Sequence, residues 1–338
     1  MQAREITNAA EWDAAIAQHP GAHPLQTWGW GEVKRESGWG AWRVAVHDGT
    51  EVRAAAQVLT RRVPRLPLSM IYVPRGPVIG PDDAEALQVL MDSVNAYGKS
   101  VGAIFCKVDP AWPAGTPHVL ASAGFHPSTE SVQVTDTYTI DLTKTEDQMQ
   151  AAMRPKTRQY IRKAEREETH ILRDTKGEWL AACYQIYIET SKRAHFGLHP
   201  RSYYDAIFQH YDPARQYLYI ALRENVPLSF LWMACFGQHA VELYGGVSDA
   251  GQEYKSNYWL KWHAIQEMKA AGYTLYDLNG RVNEGISQFK QGFGPDETTW
   301  IGPFDHIYKR MLHQGWSRAL PFAKKYLAGK GGDTVAAD

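Results

Sequence analysis

Cysteine is scarce in this sequence, and its three cysteines, Cys106, Cys183 and Cys235, stand far apart in apolar segments. Their odd number and their spacing match neither a disulfide framework nor a paired-cysteine zinc site, which favours a reducing compartment. Long apolar runs are missing as well: none reaches the roughly 18 residues needed to cross a membrane, and the N-terminal segment has no signal-peptide core. We therefore expect a cytoplasmic protein that binds no metal.

The sequence has no excess of either charge, since 36 Lys and Arg face 37 Asp and Glu for a formal net charge of −1. A uniformly basic nucleic-acid-binding surface is thereby excluded, although a local basic patch is not. The GxSxG, Walker and HExxH motifs are absent, so the sequence shows no serine-hydrolase elbow, P-loop or zinc-protease helix. The glycine-rich pyrophosphate cradle of acyl-CoA enzymes is missing too, which disfavours an acyl-CoA acetyltransferase.

Apolar and aromatic side chains are abundant, at 44% and 12% of the 338 residues. That composition supports buried cores, and a prior of about 150 residues per domain predicts two domains. Both halves run in the same order of helices, an antiparallel hairpin, a strand, a long helix and another strand, which indicates a repeated α+β fold. We place the domains at residues 1–145 and 146–305, and expect a C-terminal helix over residues 306–330 that returns to the first domain.

One stretch, GISQFKQGFG at residues 285–294, combines three glycines with a single lysine, Lys290, which follows Phe289. It comes after a strand-like run that ends at residues 279–280. We interpret it as a glycine-rich loop that lets a ligand approach a cationic side chain suited to stabilising negative charge. From the residues alone, a tight connection with a solvated lysine is the alternative.

A second stretch, MRPKTRQYIRKAERE at residues 153–167, places an arginine at every fourth position within a predicted helical segment over residues 144–169. The repeat brings Arg154, Arg158 and Arg162 onto one stripe, with Lys163 beside it. In a chain of near-zero net charge this is a concentrated positive patch, which predicts contact with phosphates. A solvated helix face balanced by neighbouring acids is the alternative.

Three further segments place a charged side chain beside a turn or a helix start. Lys34 lies among tryptophans, including Trp30, on a predicted short helix where a phosphate or a sugar would dock, unless the helix only packs and leaves its lysine exposed. Asp109 ends a strand at a proline-fixed turn, which suits a catalytic carboxylate and equally a turn-capping one. Arg201 follows a proline at the start of a helix, where an arginine grips a phosphate or serves packing. Both interpretations stay open for each.

Taken together, these motifs resemble the Fem family, the non-ribosomal peptidyl transferases that build the interpeptide bridges of peptidoglycan. The matching pieces follow the family order and cover most of the chain: QTWGWGEVK, VPRGPV, KVDP, KTRQYIRKAERE, ETSKRAHFGLHPRSYY, ELYGGVS, YKSNYWLKWHAIQEMKAAGYTLYDLNG and GISQFKQGFG. The resemblance implies two tandem GNAT acetyltransferase-like domains, with mixed, largely antiparallel sheets flanked by helices. The first would bind the precursor, and the second would carry transfer.

The resemblance also implies roles for individual residues. It assigns transfer to Phe289 and Lys290, and it considers Asp109 as the base. Contacts to the precursor fall to Lys34, Trp30, Arg201, Tyr204 and Tyr244. The contacts to tRNA phosphates are expected from the charge of the basic stripe itself, namely Arg154, Arg158, Arg162 and Lys163. No metal and no cofactor are implied, because aminoacyl-tRNA is a co-substrate.

The activity implied by the resemblance is transfer of an amino acid from aminoacyl-tRNA to the side-chain amine of the precursor stem peptide. The acceptor is UDP-MurNAc-pentapeptide or lipid II, and the protein is expected to be a monomer. A helix over residues 203–210 runs almost directly into a strand at residue 216, so the coiled-coil arm of some family members is absent. The basic C-terminal segment favours peripheral contact with the inner membrane.

Three other functions stay open from the sequence. One is an aminoacyl-tRNA–protein transferase, which would have a peptide groove in place of a diphosphate clamp. The second is an acyl-CoA-dependent N-acyltransferase of the same fold. The third is a non-enzymatic protein that binds tRNA or the cell envelope, in which Lys290 would have no role.

Overall fold

The computed structural model describes residues 1–167, 169–281 and 283–318, and the chain within it divides at two points into two units. Of the described residues, the first unit contains Met1–Thr135 and 299–318, and the second contains those within Asp136–Thr298. Each unit has its own mixed β-sheet flanked by helices. The α+β prediction is confirmed.

The helices of the described residues are α1 Ala9–Ala17, α2 Trp28–Glu36, α3 Ala84–Ser100, α4 Glu146–Ala152, α5 Pro155–Arg166, α6 Leu180–Ala194, α7 Arg201–His210, α8 Asp249–Tyr254, α9 Ser256–Ala270 and α10 Glu284–Gln291. Their strands are β1 Gln2–Glu5, β2 Gly40–Asp48, β3 Glu51–Arg62, β4 Ser69–Val73, β5 Val78–Ile79, β6 Ala103–Val108, β7 Phe125–Pro127, β8 Asp136–Asp141, β9 His170–Asp174, β10 Gln216–Arg223, β11 Val226–Phe236, β12 His239–Val247, β13 Leu275–Asp277, β14 Asp296–Thr299 and β15 Phe304–Ile307. Residues 310–318 are also helical.

The sheet of the first unit has the strand order β1-β2-β3-β4-β6-β15-β7, with β5 beside β3. Strands β4 and β6 run parallel, whereas β15 pairs antiparallel with both β6 and β7. Helix α3 covers this sheet with Leu87, Leu90, Met91 and Val94, which recur at helical spacing and are all buried. The Asp83 side chain caps the helix by accepting a hydrogen bond from the N–H of Ala86 at 3.0 Å.

The unit boundary lies at Thr135 rather than at residue 145, because β8 pairs with β13 in the second sheet. The C-terminal prediction also differs in detail, since residues 306–307 belong to β15 and helical structure begins at residue 310. In that helical segment, His313 and Trp316 pack edge-on against Phe105 of the first unit, with ring centroids 5.0 and 6.2 Å away. The rest of the predicted helix, including Lys324, Lys325 and Lys330, lies outside the described residues.

The sheet of the second unit has the order β14-β8-β13-β12-β11-β10-β9. Strands β12 and β13 run parallel, while β9, β10, β11 and β12 form an antiparallel ladder. A bulge interrupts the β11–β12 ladder, because Trp232 pairs with Tyr244 and Met233 pairs with Glu242. Helix α7 ends at His210 and β10 begins at Gln216, so the predicted short connection is present.

The helical segment predicted over residues 144–169 is two helices, α4 and α5, that separate at Met153 and Arg154. Pro155 explains the break, because proline suits the first position of a helix and not its interior. Arg158 then donates to the carbonyl oxygens of Gln150 and Met153 at the end of α4. The stripe is therefore shorter than predicted, since Arg154 precedes α5.

In residues 1–167, 169–281 and 283–318, no helix is long and apolar enough to cross a lipid bilayer. The same residues contain no group of three His, Cys, Asp or Glu side chains able to hold a metal ion. The three cysteines are buried free thiols, and burial raises the pKa of Cys106, Cys183 and Cys235.

Candidate active site

A cleft of about 930 Å³ lies within the second unit. Its walls come from the end of α6, the second half of β12, the start of α9 and most of α10. The β-bulge of the β11–β12 ladder lies in one wall, since Glu242, Leu243 and Tyr244 all line the cleft. A bulge increases local strand twist and re-aims side chains, which is why such positions often border sites.

The GISQFKQGFG stretch is helical where it carries the lysine, and the prediction of a glycine-rich loop is wrong. Helix α10 begins after Asn283, whose side chain accepts a hydrogen bond from the N–H of Ile286 at 2.9 Å. Gly292 and Gly294 follow the helix, and each lies in close contact with another segment of the protein. A Cβ at Gly292 would collide with Thr157, and one at Gly294 with the backbone of Ala152. These two glycines serve packing and not the approach of a ligand.

Lys290 lines the cleft from the last turn of α10 and is 7% exposed. Its Nζ donates to the carbonyl oxygens of Asn279 and Gly280, at 3.0 and 2.7 Å. Both residues have positive φ, 54° and 89°, so β13 ends in a turn that aims two carbonyl groups at one ammonium. An ammonium has three donors, which leaves one N–H for a ligand in the cleft.

Burial lowers the pKa of Lys290 to about 8, against the opposing charge of Glu242. The nearby Lys261 lowers this pKa further, and Asp277 raises it. At neutral pH the side chain is therefore mainly an ammonium, yet it loses its proton far more readily than an exposed lysine.

Phe289 lines the same cleft, as its pairing with Lys290 predicted. Its ring lies edge-on to Tyr258 and Phe293, at centroid distances of 4.8 and 5.5 Å. The ammonium of Lys261 stands 5.2 Å from the centroid of Phe289. This aromatic packing fixes the last turn of α10 and with it the position of Lys290.

A buried ion pair between Glu242 and Lys261 forms part of the cleft and was not predicted. Glu242 lies on β12 and Lys261 on α9, and both are at most 6% exposed. The hydroxyl of Tyr276, on β13, donates to the same carboxylate at 2.7 Å. The sequence does carry a signal for the pair: Glu242 is the one acid within β12, and Lys261 interrupts an otherwise apolar face of α9.

Tyr244 lines the cleft as predicted, whereas Tyr204 is buried and packs against it. The ring centroids of Tyr244 and Tyr204 are 5.0 Å apart, and that of Tyr187 is 5.7 Å from Tyr244. The hydroxyl of Tyr204 accepts a hydrogen bond from the N–H of His199 at 3.2 Å. Burial raises the pKa of Tyr187. The three tyrosines make a rigid wall, of which Tyr244 and Tyr187 contact the cleft.

Arg201 is the first residue of α7, as predicted, and is not among the residues that line this cleft. Its Nε donates to Oδ1 of Asp205, one helical turn on, at 2.8 Å. A phosphate at Arg201 would have to share the guanidinium with that carboxylate. Its role in precursor binding stays a prediction.

The basic stripe is divided between structural and exposed side chains. Arg154 donates to Oε1 of Gln291 at 2.9 Å, and Arg158 bonds to the end of α4. Lys163 donates to the backbone carbonyl of Glu253 at 3.1 Å, and Arg162 is exposed on the outer face of α5. The inner face buries Thr157, Ile161 and Ala164.

The remaining predicted residues lie in the first unit. Lys34 is 4% exposed on α2, and its Nζ is 4.6 Å from the ring centroid of Trp30. Asp109 is buried, and its oxygens accept from the Tyr72 hydroxyl and the N–H of Arg75, each at 2.7 Å. Burial raises the pKa of Asp109 despite these donors. The structure thus gathers Lys290, Phe289 and Tyr244 in one cleft, and places Lys34, Trp30 and Asp109 in the other unit.

Comparison with known proteins agrees with this architecture. The model of the FemAB family matches residues 7–121, 114–225 and 222–319. A lipid II:glycine glycyltransferase of Staphylococcus aureus is 24% identical, over 93% of this chain and 94% of that protein. The crystal structure of FemX superposes with a TM-score of 0.85 at 23% identity, covering 93% of this chain and 99% of that one.

Two more distant structures share the fold. The L-PGS of Bacillus licheniformis has a TM-score of 0.56 at 11% identity, with 89% of this chain and 92% of that one covered. A tandem GNAT protein from the clavulanic acid biosynthesis pathway has a TM-score of 0.51 at 11% identity, with 90% and 98% covered. The predicted tandem GNAT-like fold is confirmed.

Proposed function

Because the chain belongs to the FemAB family, we propose that it is an aminoacyltransferase of peptidoglycan bridge formation. It moves an amino acid from aminoacyl-tRNA to the side-chain amine of a precursor stem peptide. The observation that carries this proposal is Lys290, a buried ammonium that lines a cleft and uses two of its three donors on backbone carbonyl groups. The relative from Staphylococcus aureus is named as a lipid II:glycine glycyltransferase, which gives the acceptor class.

In the proposed reaction, the acceptor amine attacks the ester carbonyl of the charged tRNA. A carbon–nitrogen bond forms, negative charge develops on the carbonyl oxygen, and Lys290 donates a hydrogen bond to it. The carbon–oxygen bond to the ribose then breaks, and the ribose oxygen leaves as a hydroxyl group with the proton that the attacking amine has lost. The ester is already activated, so holding the two substrates in line supplies much of the remaining rate.

We propose Asp109 as the acceptor of the amine proton. Burial raises the pKa of its carboxyl, which makes the carboxylate a stronger base than an exposed aspartate. Lys34, Trp30 and Arg201 are proposed to contact the precursor, the two cations at its phosphates. The acceptor is UDP-MurNAc-pentapeptide or lipid II, and the enzyme works as a cytoplasmic monomer without a cofactor.

A cationic and aromatic surface supports tRNA as the donor. Tyr160 of α5 lies between two lysines, with the ammonium groups of Lys156 and Lys255 at 5.5 and 5.0 Å from its ring centroid. Its ring is 4.9 Å from that of Tyr258, which in turn packs on Phe289. Cations along a backbone with aromatic faces for bases are typical of single-stranded nucleic-acid paths. This surface joins α5 to the cleft that holds Lys290.

We expect charge reversal at Arg162 to weaken the use of charged tRNA. Arg162→Glu removes one exposed cation from α5, so KM for aminoacyl-tRNA should rise about 3- to 10-fold and its salt dependence should flatten. Steady-state kinetics at several salt concentrations measure both changes. Lys176→Glu, a reversal at an exposed lysine of the β9–α6 connection, is the control. An unchanged KM for tRNA with a raised KM for precursor would show that α5 faces the precursor.

The proposed function is tested by product mass. The protein is incubated with UDP-MurNAc-pentapeptide, or with lipid II in detergent, and a mixed pool of charged tRNAs. A precursor heavier by one or more amino-acid residues supports the proposal, and the added mass identifies the amino acid. Comparison of UDP-MurNAc-pentapeptide with lipid II shows which of them is the acceptor. No added mass on either, with tRNA shown to remain charged, contradicts it. Transfer to a peptide N-terminus, or calorimetric binding of acetyl-CoA, would favour the other acyltransferase functions.

A further inference from the structure

The carboxylate of Glu242 uses its two oxygens unequally. Both of its hydrogen bonds, from the ammonium of Lys261 and the hydroxyl of Tyr276, end on Oε1. Oε2 accepts none from the described part of the chain. Since the Glu242 side chain lines the cleft, one oxygen anchors the residue and the other is available to a molecule in the cleft.

The surroundings of Glu242 hold its side chain in a fixed position. Lys261 reaches it from α9 and Tyr276 from β13, so two elements clamp a side chain that projects from β12. Burial, and after it the negative charge of Glu242, raises the pKa of the Tyr276 phenol, which keeps that group a donor. A buried carboxylate with a positive partner and an unused oxygen is a binding site for a second hydrogen-bond donor.

Glu242 is also close to the proposed reaction centre. It and Lys290 line the same cleft, and its charge acts on the Lys290 ammonium strongly enough to oppose the effect of burial. Lys290 nevertheless bonds to the carbonyl groups of Asn279 and Gly280 and not to this carboxylate. The cleft therefore presents both a cationic donor and an anionic acceptor.

We propose that Oε2 of Glu242 binds the α-ammonium group of the aminoacyl donor while Lys290 faces the ester carbonyl oxygen. The inference rests on the proposed transferase function. In an aminoacyl ester, the amino nitrogen is two covalent bonds from the carbonyl carbon. The α-ammonium group therefore needs an anion close to the place where the carbonyl oxygen needs a cation. Glu242 and Lys290 supply that pair in one cleft.

The acceptor substrate also brings an amine, but a fixed anion suits it less well. An adjacent negative charge favours the protonated form of an amine. The acceptor amine must be neutral to attack, and Glu242 would hold it in its unreactive form. The donor α-amino group forms no bond in the reaction, so its positive charge can bind to Glu242 without slowing transfer.

The proposal makes Glu242 a specificity residue that selects aminoacyl esters over other acyl esters. A site built for a charged donor disfavours an analogue with a neutral hydroxyl there, because the buried carboxylate then faces no positive charge and receives only a weaker, neutral donor. The test compares glycyl-tRNA, or the charged tRNA identified by product mass, with the α-hydroxyacyl ester of the same tRNA. The two donors differ only in an ammonium or a hydroxyl group on the same carbon.

The wild-type protein should use the aminoacyl donor roughly 10- to 100-fold better in kcat/KM than the hydroxyacyl donor. Glu242→Gln should reduce kcat/KM for the aminoacyl donor by a similar factor and change that for the hydroxyacyl donor less than about 3-fold. Glu267→Gln removes an exposed carboxylate from α9 and should leave both values unchanged.

Two results would overturn the proposal. The first is equal use of the two donors by the wild-type protein. This result needs no variant, so the test remains valid even if the Glu242→Gln protein fails to fold. An equal loss for both donors in Glu242→Gln would show that the carboxylate only supports Lys290. Absence of transfer from every charged tRNA would instead contradict the transferase function itself.

Discussion

Lys290→Met should lower kcat for transfer from aminoacyl-tRNA by roughly 100- to 1000-fold, the usual loss when one preorganised oxyanion donor is removed. Methionine is similar in length and apolar, so it fits the buried position while removing the ammonium that lines the cleft. The KM for either substrate should change little, because the bond to the oxyanion strengthens only in the transition state. Single-turnover transfer with saturating precursor measures the effect.

Lys192→Met is the matched control, since Lys192 is an exposed lysine on α6 in the same unit. Its transfer rate should equal that of the wild-type protein. A Lys290→Met protein that is folded and retains full transfer would eliminate Lys290 from the mechanism. If neither the wild-type protein nor Lys290→Met transfers an amino acid and both bind tRNA, a non-enzymatic tRNA-binding function would be favoured.

The same lysine should impose opposite pH dependences on activity and on stability. Transfer needs the ammonium, so the rate should fall as pH rises through about 8, the pKa of Lys290. Stability should rise in that region, because between pH 8 and 10.5 the unfolded chain binds more protons than the folded one. The gain is at most roughly 3 kcal/mol. In Lys290→Met, neither the decrease of the transfer rate above pH 8 nor the increase in stability should occur.

Lys261→Met should destabilise the protein by about 3–5 kcal/mol, because it leaves the Glu242 carboxylate buried without its counter-ion. Tyr276 alone would then satisfy the anion. The free energy of unfolding by urea at neutral pH measures the loss.

The double variant Lys261→Met/Glu242→Gln distinguishes the effect of the unpaired buried charge from the effect of lost side-chain packing. Removing both charges leaves a neutral amide beside Tyr276, so it should recover more than half of the stability lost in Lys261→Met. Lys269→Met is the control on the same helix, because Lys269 is half-buried and donates only to the carbonyl of Leu142. It should cost about 1 kcal/mol. A double variant no more stable than Lys261→Met would mean that Lys261 acts through its apolar stem.

The elements with a regular apolar period were predictable. Helices α3 and α9 bury side chains at every third or fourth residue, and that spacing is visible in the sequence. Helix α10 was missed because its glycines were read as loop formers, although Asn283 ahead of it is a helix cap. The short β15 could not be predicted, since its partners β6 and β7 lie nearly two hundred residues away in sequence.

The site was predictable where a residue carries its own signal. Lys290 and Phe289 stand together in a family motif, and the structure places both in the cleft. Glu242 and Lys261 come from separate elements, and only pairing of β12 with its neighbours and packing of α9 brings their charges into contact. Such long-range pairs depend on tertiary packing, which no local pattern records.

The interior position of β15 has a consequence for the order in which the protein is made. The strand fills the gap between β6 and β7, yet it leaves the ribosome only after the whole of the second unit. At about 5–20 residues per second, β6 then waits on the order of 10 to 40 s for its neighbour. During synthesis the second unit can complete its sheet before the first unit does. Until β15 is made, β6 of the first unit has an unpaired edge, which nascent-chain chaperones would cover.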